Sequence, residues 1–237
     1  MNPTQNILHE RLKAHSHSFH KVVDFNPAKE KLTHWDLTNN NLELYEIDFA
    51  DTEIFNAYVE KKLKKEKAKF GIGGYNEIRG FYERSRVFDG ITGVEPRRLH
   101  LGIDIWGKEG TEIYAPLGGM VHSYGFNESF GDYGATIILL HQLDTVTFYT
   151  LYGHLSLNDI ARITEFQYIV RGQLIGHFGG PKENGYWPPH LHFQVIKEMG
   201  EYKGDYPGVC KYSEREKYLE NSPDADLVLN MMQYVKA

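Results

Sequence analysis

His190 and His192 stand at i and i+2 in the stretch Trp187-Pro188-Pro189-His190-Leu191-His192-Phe193-Gln194-Val195. Its alternation of apolar and aromatic residues reads as a β-strand, and residues two apart on a strand project from one face. The two imidazoles therefore point together, about 6–7 Å apart along the strand. That spacing suits one metal ligand beside one neighbouring proton-handling group. A lone His-x-His is more often a polar pair on a solvated sheet face, so its meaning depends on what else the chain supplies. Two further stretches supply it. In His100-Leu101-Gly102-Ile103-Asp104, a straight strand would hold the end residues about 13 Å apart. An ion with bonds of about 2.0–2.2 Å could not be shared over that span, so the chain must bend, and Gly102 permits it. Tyr152-Gly153-His154-Leu155-Ser156 ends a strand where a side chain can hang over a cleft.

Together these stretches offer three zinc ligands and two spare imidazoles. Two histidines and one carboxylate leave a fourth tetrahedral position open to water, the pattern of a catalytic rather than a structural zinc. Such an ion lowers the pKa of water towards ~7 and polarises a carbonyl. Histidine titrates near working pH, so the spare imidazoles can move protons. Spacing alone does not say which histidine does which job. His122 and His141 lack a spaced partner and read as hydrogen-bonded structural residues, as does His177. His15 and His17 repeat the i, i+2 pattern, but in polar surroundings without strand formers. Cys210 lies in the tail with no motif to support a nucleophile. Tyr133, Tyr152 and Tyr186 could each donate to a developing oxyanion, although aromatic residues this numerous are mostly core.

The elements that must position these residues are largely strands. From about Leu99 to Lys197, short segments rich in β-branched and aromatic residues recur between turns: 103–106, 111–115, 119–124, 135–140 and 145–152. That spacing predicts a sandwich or barrel rather than an α/β unit. Before it, residues 1–70 read as mostly helical and polar. The clearest helix starts with Asp51 or Thr52 as N-cap, carries Ile54, Tyr58 and Val59 on one face, and meets Gly71 as a stop. Gly71 to Gly90 mixes glycines, aromatics and arginines and reads as an ordered loop. After residue 198 come turns and then a helix around Ser213–Leu219.

Composition narrows the function. A net charge of −6 argues against a nucleic-acid partner, which calls for a basic balance. The lysines of 61–69 read as a solvated helix end. One cysteine in 237 residues excludes an internal disulfide. No apolar run approaches the ~18 residues of a membrane span, so no membrane partner is expected. The first 30 residues carry no apolar core or small-residue cleavage site. A cytoplasmic protein is expected, or a periplasmic or secreted one if a leader was trimmed.

His100-x-x-x-Asp104, the Tyr152-Gly153-His154-Leu155 block and Pro189-His190-Leu191-His192-Phe193 resemble, in order and spacing, the lysostaphin-type zinc metallopeptidases, as do Gly110-Thr111 and Gly172-Gln173-Leu174-Ile175-Gly176. The likeness covers roughly residues 97–197. It implies one zinc ion held by His100, Asp104 and His192, with His154 and His190 as catalytic histidines beside it. It also implies a mainly β fold, a compact antiparallel sheet or sandwich with a groove across one sheet. The domains expected are a helical and loop N-terminal extension (1–90), a lysostaphin-like β metallopeptidase domain (91–200) and a C-terminal extension with a short helix (201–237). The family's usual reaction is endopeptidase hydrolysis of peptidoglycan cross-links or glycine-rich bridges.

A narrower likeness lies in Thr147–Ser156, Glu183–Pro189 and Gly204–Val209. These blocks are similar to the peptidase-like domain fused to some class III aminotransferases, which are intracellular. Pro188-Pro189 replaces the common Gly-Pro before the histidine pair, and Gln194 stands where Glu is frequent. Neither is expected to touch a ligand; both are expected to bear on groove shape. The function expected is a zinc metalloendopeptidase acting on a small peptide or muropeptide. The alternatives are a non-catalytic binding or regulatory domain of the same fold, and a metal-dependent hydrolase of a small metabolite. Residues 1–90 are expected to pack as a plain extension, with a self-inhibiting cap as the alternative. The oligomeric state is not assigned.

Overall fold

Alternation of large apolar side chains builds the central layer. The computed structural model describes residues 3–89 and 93–235. Gly90, which closes the expected loop, and the expected boundary at 90/91 lie outside the described residues, as do the last two residues of the C-terminal extension. A first helix, α1 (Pro3–His15), buries Leu8 and Leu12 one turn apart on a single face. Two strands follow around a second helix: β1 (Leu32–His34), α2 (Thr52–Glu66) and β2 (Phe70–Gly73). Next come β3 (Glu77–Ile78), the short helix α3 (Arg86–Asp89), β4 (Arg97–His100), β5 (Ile103–Trp106) and β6 (Glu112–Tyr114). The long strands are β7 (Gly119–Asn127), β8 (Gly134–Leu143) and β9 (Val146–Leu155). Last are β10 (Tyr168–Ile169), β11 (Leu174–His177), β12 (His190–Ile196) and β13 (Val209–Lys211).

Eight strands form one sheet in the order β1-β2-β5-β12-β9-β8-β7-β10, with a two-stranded β11-β6 sheet and a three-stranded β13-β4-β3 sheet beside it. Among the described strands, every ladder is antiparallel except that of β1 with β2. The mainly antiparallel β fold expected from the sequence is the fold observed.

All seven residues of β12 are buried, so both of its faces are covered. Leu191, Phe193 and Val195 enter the main core with Ile103 and Ile105 of β5. The opposite face carries His190, His192 and Gln194, and beside them Asp104 and Trp106. A second apolar cluster covers this face, made by Trp35, Phe55, Val59, Phe81, Tyr82 and Phe88 from the N-terminal part, together with Trp106 and Trp187. Helix α2 contributes Phe55 and Val59, each 1% exposed, and burial of each is worth roughly 1.5–3 kcal/mol.

Asp51 caps α2 as its sequence predicts, its carboxylate accepting from Glu53 N and Ile54 N at 2.8 and 3.1 Å. The helix ends earlier than expected, at Lys67 in the left-handed conformation (φ 53°). Gly71 is not the stop. It pairs with Trp106 inside the sheet, Ile72 pairs with Ile105, and Gly73 pairs with Asp104. The stretch read as a loop thus opens with a core strand.

Candidate active site

Strand register brings the sequence-predicted residues together. Across the β5–β12 pair, His192 stands opposite Asp104 and His190 opposite Trp106. Across β9–β12, His192 stands opposite Gly153, one residue before His154. His100 ends β4, in a different sheet, and the chain breaks at Leu101-Gly102 before entering β5. This is the bend that the His-x-x-x-Asp spacing requires. Gly102 has a further role, since a Cβ there would lie 2.6 Å from the His192 ring.

The donor atoms of His100, Asp104 and His192 converge. His100 Nε2 lies 2.9 Å from His192 Nδ1 and 3.3 Å from Asp104 Oδ1, and His192 Nδ1 lies 3.2 Å from the same oxygen. Ligand bonds of about 2.0–2.1 Å at tetrahedral angles give edges of about 3.3–3.4 Å, close to this triangle. All three residues are at most 2% exposed. Among the described residues, no other group of three His, Cys, Asp or Glu side chains converges in this way.

The outer nitrogens fix what the inner ones can do. His100 Nδ1 lies 2.9 Å from Gly74 O, an acceptor only, so this nitrogen carries the proton and Nε2 presents a lone pair. His192 Nε2 lies 2.9 Å from Gln194 Oε1, which assigns its proton to Nε2 and a lone pair to Nδ1. Three acceptors therefore face one another with no proton between them. Such a buried arrangement suits a cation, and the N,N,O donor set fits a divalent metal.

Electrostatics follow from the same packing. Burial would raise the Asp104 carboxyl, but the adjacent His100 ring and the Arg79 guanidinium hold it well below the usual range. Burial, helped by the Arg79 charge, pushes His100 down to about 4.

His154 and His190 form a second pair beside the triangle. Their ring centroids lie 4.1 Å apart. His154 Nδ1 donates to Asn184 O at 2.8 Å and His190 Nδ1 to Pro188 O at 2.7 Å. Each ring thus keeps an unprotonated Nε2. Burial pushes His190 down to about 4 and His154 well below its ordinary value, so both are neutral proton acceptors. His154 adopts a positive φ of 65°, an uncommon conformation for a non-glycine residue and one concentrated at functional sites.

All five residues line one pocket, together with Arg79, Tyr82, Phe88, Tyr133, Asp205 and Gly208. Of the three tyrosine candidates, Tyr133 alone lines it. Its hydroxyl lies 3.3 Å from His192 Nε2. The Tyr152 hydroxyl is buried against Thr150, and Tyr186 is exposed. His141 is bonded at both nitrogens, to Gly118 O and Thr150 Oγ1. His177 is held by Asp159.

One expectation is corrected. Gln194 does touch a predicted ligand, and it is the residue that sets the His192 tautomer. The signal was available, because Gln194 lies two residues after His192 and so on the same strand face. Pro188 likewise positions His190 through its carbonyl. Arg79, which bonds Asp104 Oδ2 at 2.5 Å, gave no sequence signal.

Residues 98–204 match Peptidase family M23. The part of the chain that holds the site is thus similar to an M23 peptidase domain. All five site residues lie inside the matched span, and the lysostaphin-type resemblance holds at the family level. An L-Ala–D-Glu endopeptidase of Bacillus subtilis (strain 168) is 31% identical over 129 residues, 52% of this chain and 37% of that protein. The chain therefore spans little more than a third of that relative's length. Solved structures similar to this chain include a zinc-containing peptidase from Vibrio cholerae, 28% identical over 41% of this chain and 27% of that one, with a TM-score of 0.33. Another is the catalytic domain of the antimicrobial peptidase lysostaphin from Staphylococcus simulans, 21% identical over 68% of this chain and 97% of that one, with a TM-score of 0.40. Among the described residues, no helix is long and apolar enough to cross a membrane.

Proposed function

We propose that this chain is a zinc-dependent metalloendopeptidase that hydrolyses a peptide bond in a small or peptidoglycan-derived peptide. The observation that carries the reading is the triangle of proton-free donors from His100, Asp104 and His192, flanked by two neutral imidazoles with open Nε2 atoms. The M23 match supports the reaction class, and the L-Ala–D-Glu endopeptidase relative supports a muropeptide substrate.

His100, Asp104 and His192 would hold the zinc ion, which when bound supplies Lewis-acid polarisation of the scissile carbonyl and of the attacking water. His154 and His190 handle the proton. One Nε2 takes it from the water as oxygen attacks the carbonyl carbon, and the departing amine nitrogen receives it as the C–N bond breaks. Tyr133 is placed to donate to the developing oxyanion. The His192 proton goes to Gln194, so the Tyr133 hydroxyl keeps its own proton free. The walls of Trp187, Tyr82 and Phe88 exclude water from around these groups.

Incubation of the zinc-loaded protein with muropeptides and a dipeptide library, read by mass spectrometry, tests the proposal. Cleavage at one bond class is expected. Absence of any cleavage would favour the binding-domain alternative. Asp104→Ala is expected to lose the zinc, and full retention of about one equivalent would overturn the ligand assignment.

A further inference from the structure

The pocket is not built from the family-matched residues alone. Arg79 lies before residue 98, where the match to the family begins, and is 1% exposed. Its Nη1 donates to Asp104 Oδ2 at 2.5 Å and to the Tyr82 hydroxyl at 3.0 Å. Its Nε donates to Glu77 Oε2 at 2.6 Å. The backbone fixes this placement. Glu77 pairs with His100 in the β3–β4 ladder, and Arg79 N donates to Arg98 O at 3.0 Å. Gly74, at φ +109°, leaves the space that the guanidinium fills, since a Cβ there would collide with Arg79 Nη2 and lie 2.8 Å from His100 Nδ1.

The two carboxylate oxygens of Asp104 therefore have separate partners. Oδ2 belongs to Arg79, whereas Oδ1 faces His100 Nε2 and His192 Nδ1. A carboxylate free at both oxygens can rotate and present both of them to a cation. One clamped at Oδ2 by a charge-assisted bond from a planar, fixed guanidinium presents a single oxygen.

We propose that Arg79 is a positioning residue of the metal site, holding Asp104 so that Oδ1 alone completes the donor triangle and a coordination position stays open for water. The inference rests on the ligand reading given above. It also assigns residues 70–84 to the working site rather than to a detachable cover. The outer partners of metal ligands set affinity, and their loss typically costs roughly 10- to 100-fold.

The test measures zinc affinity of the full chain by competition with a chromophoric chelator, alongside the visible spectrum of the cobalt(II)-loaded protein. Wild type, Arg79→Met, Arg79→Lys and Glu77→Gln are compared, with circular dichroism as the check on folding. Arg79→Met is expected to bind zinc roughly 10- to 100-fold more weakly. Its cobalt(II) absorption should weaken as Asp104 swings to offer both oxygens and the coordination number rises. Arg79→Lys should recover part of the affinity, because an ammonium supplies charge without the fork. Glu77→Gln, which loosens the guanidinium, should cost less than tenfold. A merely structural role would lower the unfolding temperature and leave the affinity and cobalt spectrum of the folded protein unchanged. Zinc affinity of Arg79→Met within twofold of wild type, with the same cobalt spectrum, would overturn the proposal. Should Arg79→Met not fold, unchanged affinity in both Arg79→Lys and Glu77→Gln overturns it instead. A wild-type chain that binds no zinc would overturn the ligand reading, and this inference with it.

Discussion

His190 lies flat on Trp106, with ring centroids 3.9 Å apart and planes 14° from parallel, while His154 covers its other side at 4.1 Å. The antiparallel register that sets His190 opposite Trp106 also sets His192 opposite Asp104. One strand pair thus fixes a stacked imidazole and a donor pair, two residues apart.

The first prediction separates those roles. His190→Ala removes a proton acceptor but none of the three converging donors. Zinc content should stay near one equivalent, while kcat falls about 10²- to 10⁴-fold, the usual contribution of one positioned acid–base group. Metal analysis and steady-state kinetics on one preparation check both halves. Unchanged kcat would move proton transfer to His154 alone.

The second concerns Gln194. Its Oε1 accepts from His192 Nε2 at 2.9 Å, and its own Nε2 donates to Ser222 Oγ at 2.9 Å. Gln194→Met should keep the volume but free the His192 ring and its tautomer. Zinc affinity should drop roughly 10- to 100-fold, with Gln194→Glu close to wild type because it still accepts. Isothermal titration with zinc reads the difference. Equal affinity in all three proteins would reduce Gln194 to packing.

The donor residues were legible because metal ligation restricts residue types and strand geometry restricts their spacing. His190 and His192 share a face by period two, and His100 and Asp104 required a bend that Gly102 supplies. The long strands β7, β8 and β9 were legible through their β-branched and aromatic runs. Strand β2 was not, because Phe70-Gly71-Ile72-Gly73 has glycine where a strand pattern expects bulk. Its glycines answer a tertiary demand, since a Cβ at Gly71 would run into the Trp35 indole. Arg79 was hidden for the same kind of reason. Its partner Asp104 is 25 positions away, and nothing local in the sequence distinguishes it from Arg84, Arg86, Arg97 and Arg98 nearby. Gln194 was read as groove shape although its period-two position already placed it beside His192.

A third prediction tests the space at Gly102. A Cβ there would lie 2.6 Å from His192 Cε1 and Nε2 and 2.8 Å from Phe193 O. The backbone oxygen cannot move without disturbing β12, so the ring must give way. Gly102→Ala should cost about 1–3 kcal/mol, as overpacking does, or roughly 2–12 °C in Tm at this chain length. It should also weaken zinc binding by displacing Nδ1. Differential scanning calorimetry and zinc titration test both, and an unchanged Tm would show that the bend, not the space, selects glycine.

The last prediction concerns acid. His141 is buried on β8, with Nδ1 3.0 Å from Gly118 O and Nε2 2.7 Å from Thr150 Oγ1. Burial lowers its pKa from 6.5 to about 4. Between those values the unfolded chain binds a proton that the folded chain refuses. Stability is therefore level in this term above pH 6.5 and falls as pH drops from 6.5 towards 4, on the order of 1.4 kcal/mol per pH unit and about 3 kcal/mol across the window. His141→Gln removes the titration but keeps an amide able to meet both partners. Urea unfolding at pH 7.5, 6, 5 and 4.5 should give a shallower loss of stability for the variant, by about one proton's slope. Parallel curves for the two proteins would mean that the acid sensitivity resides in the pocket histidines His100, His154 and His190 instead.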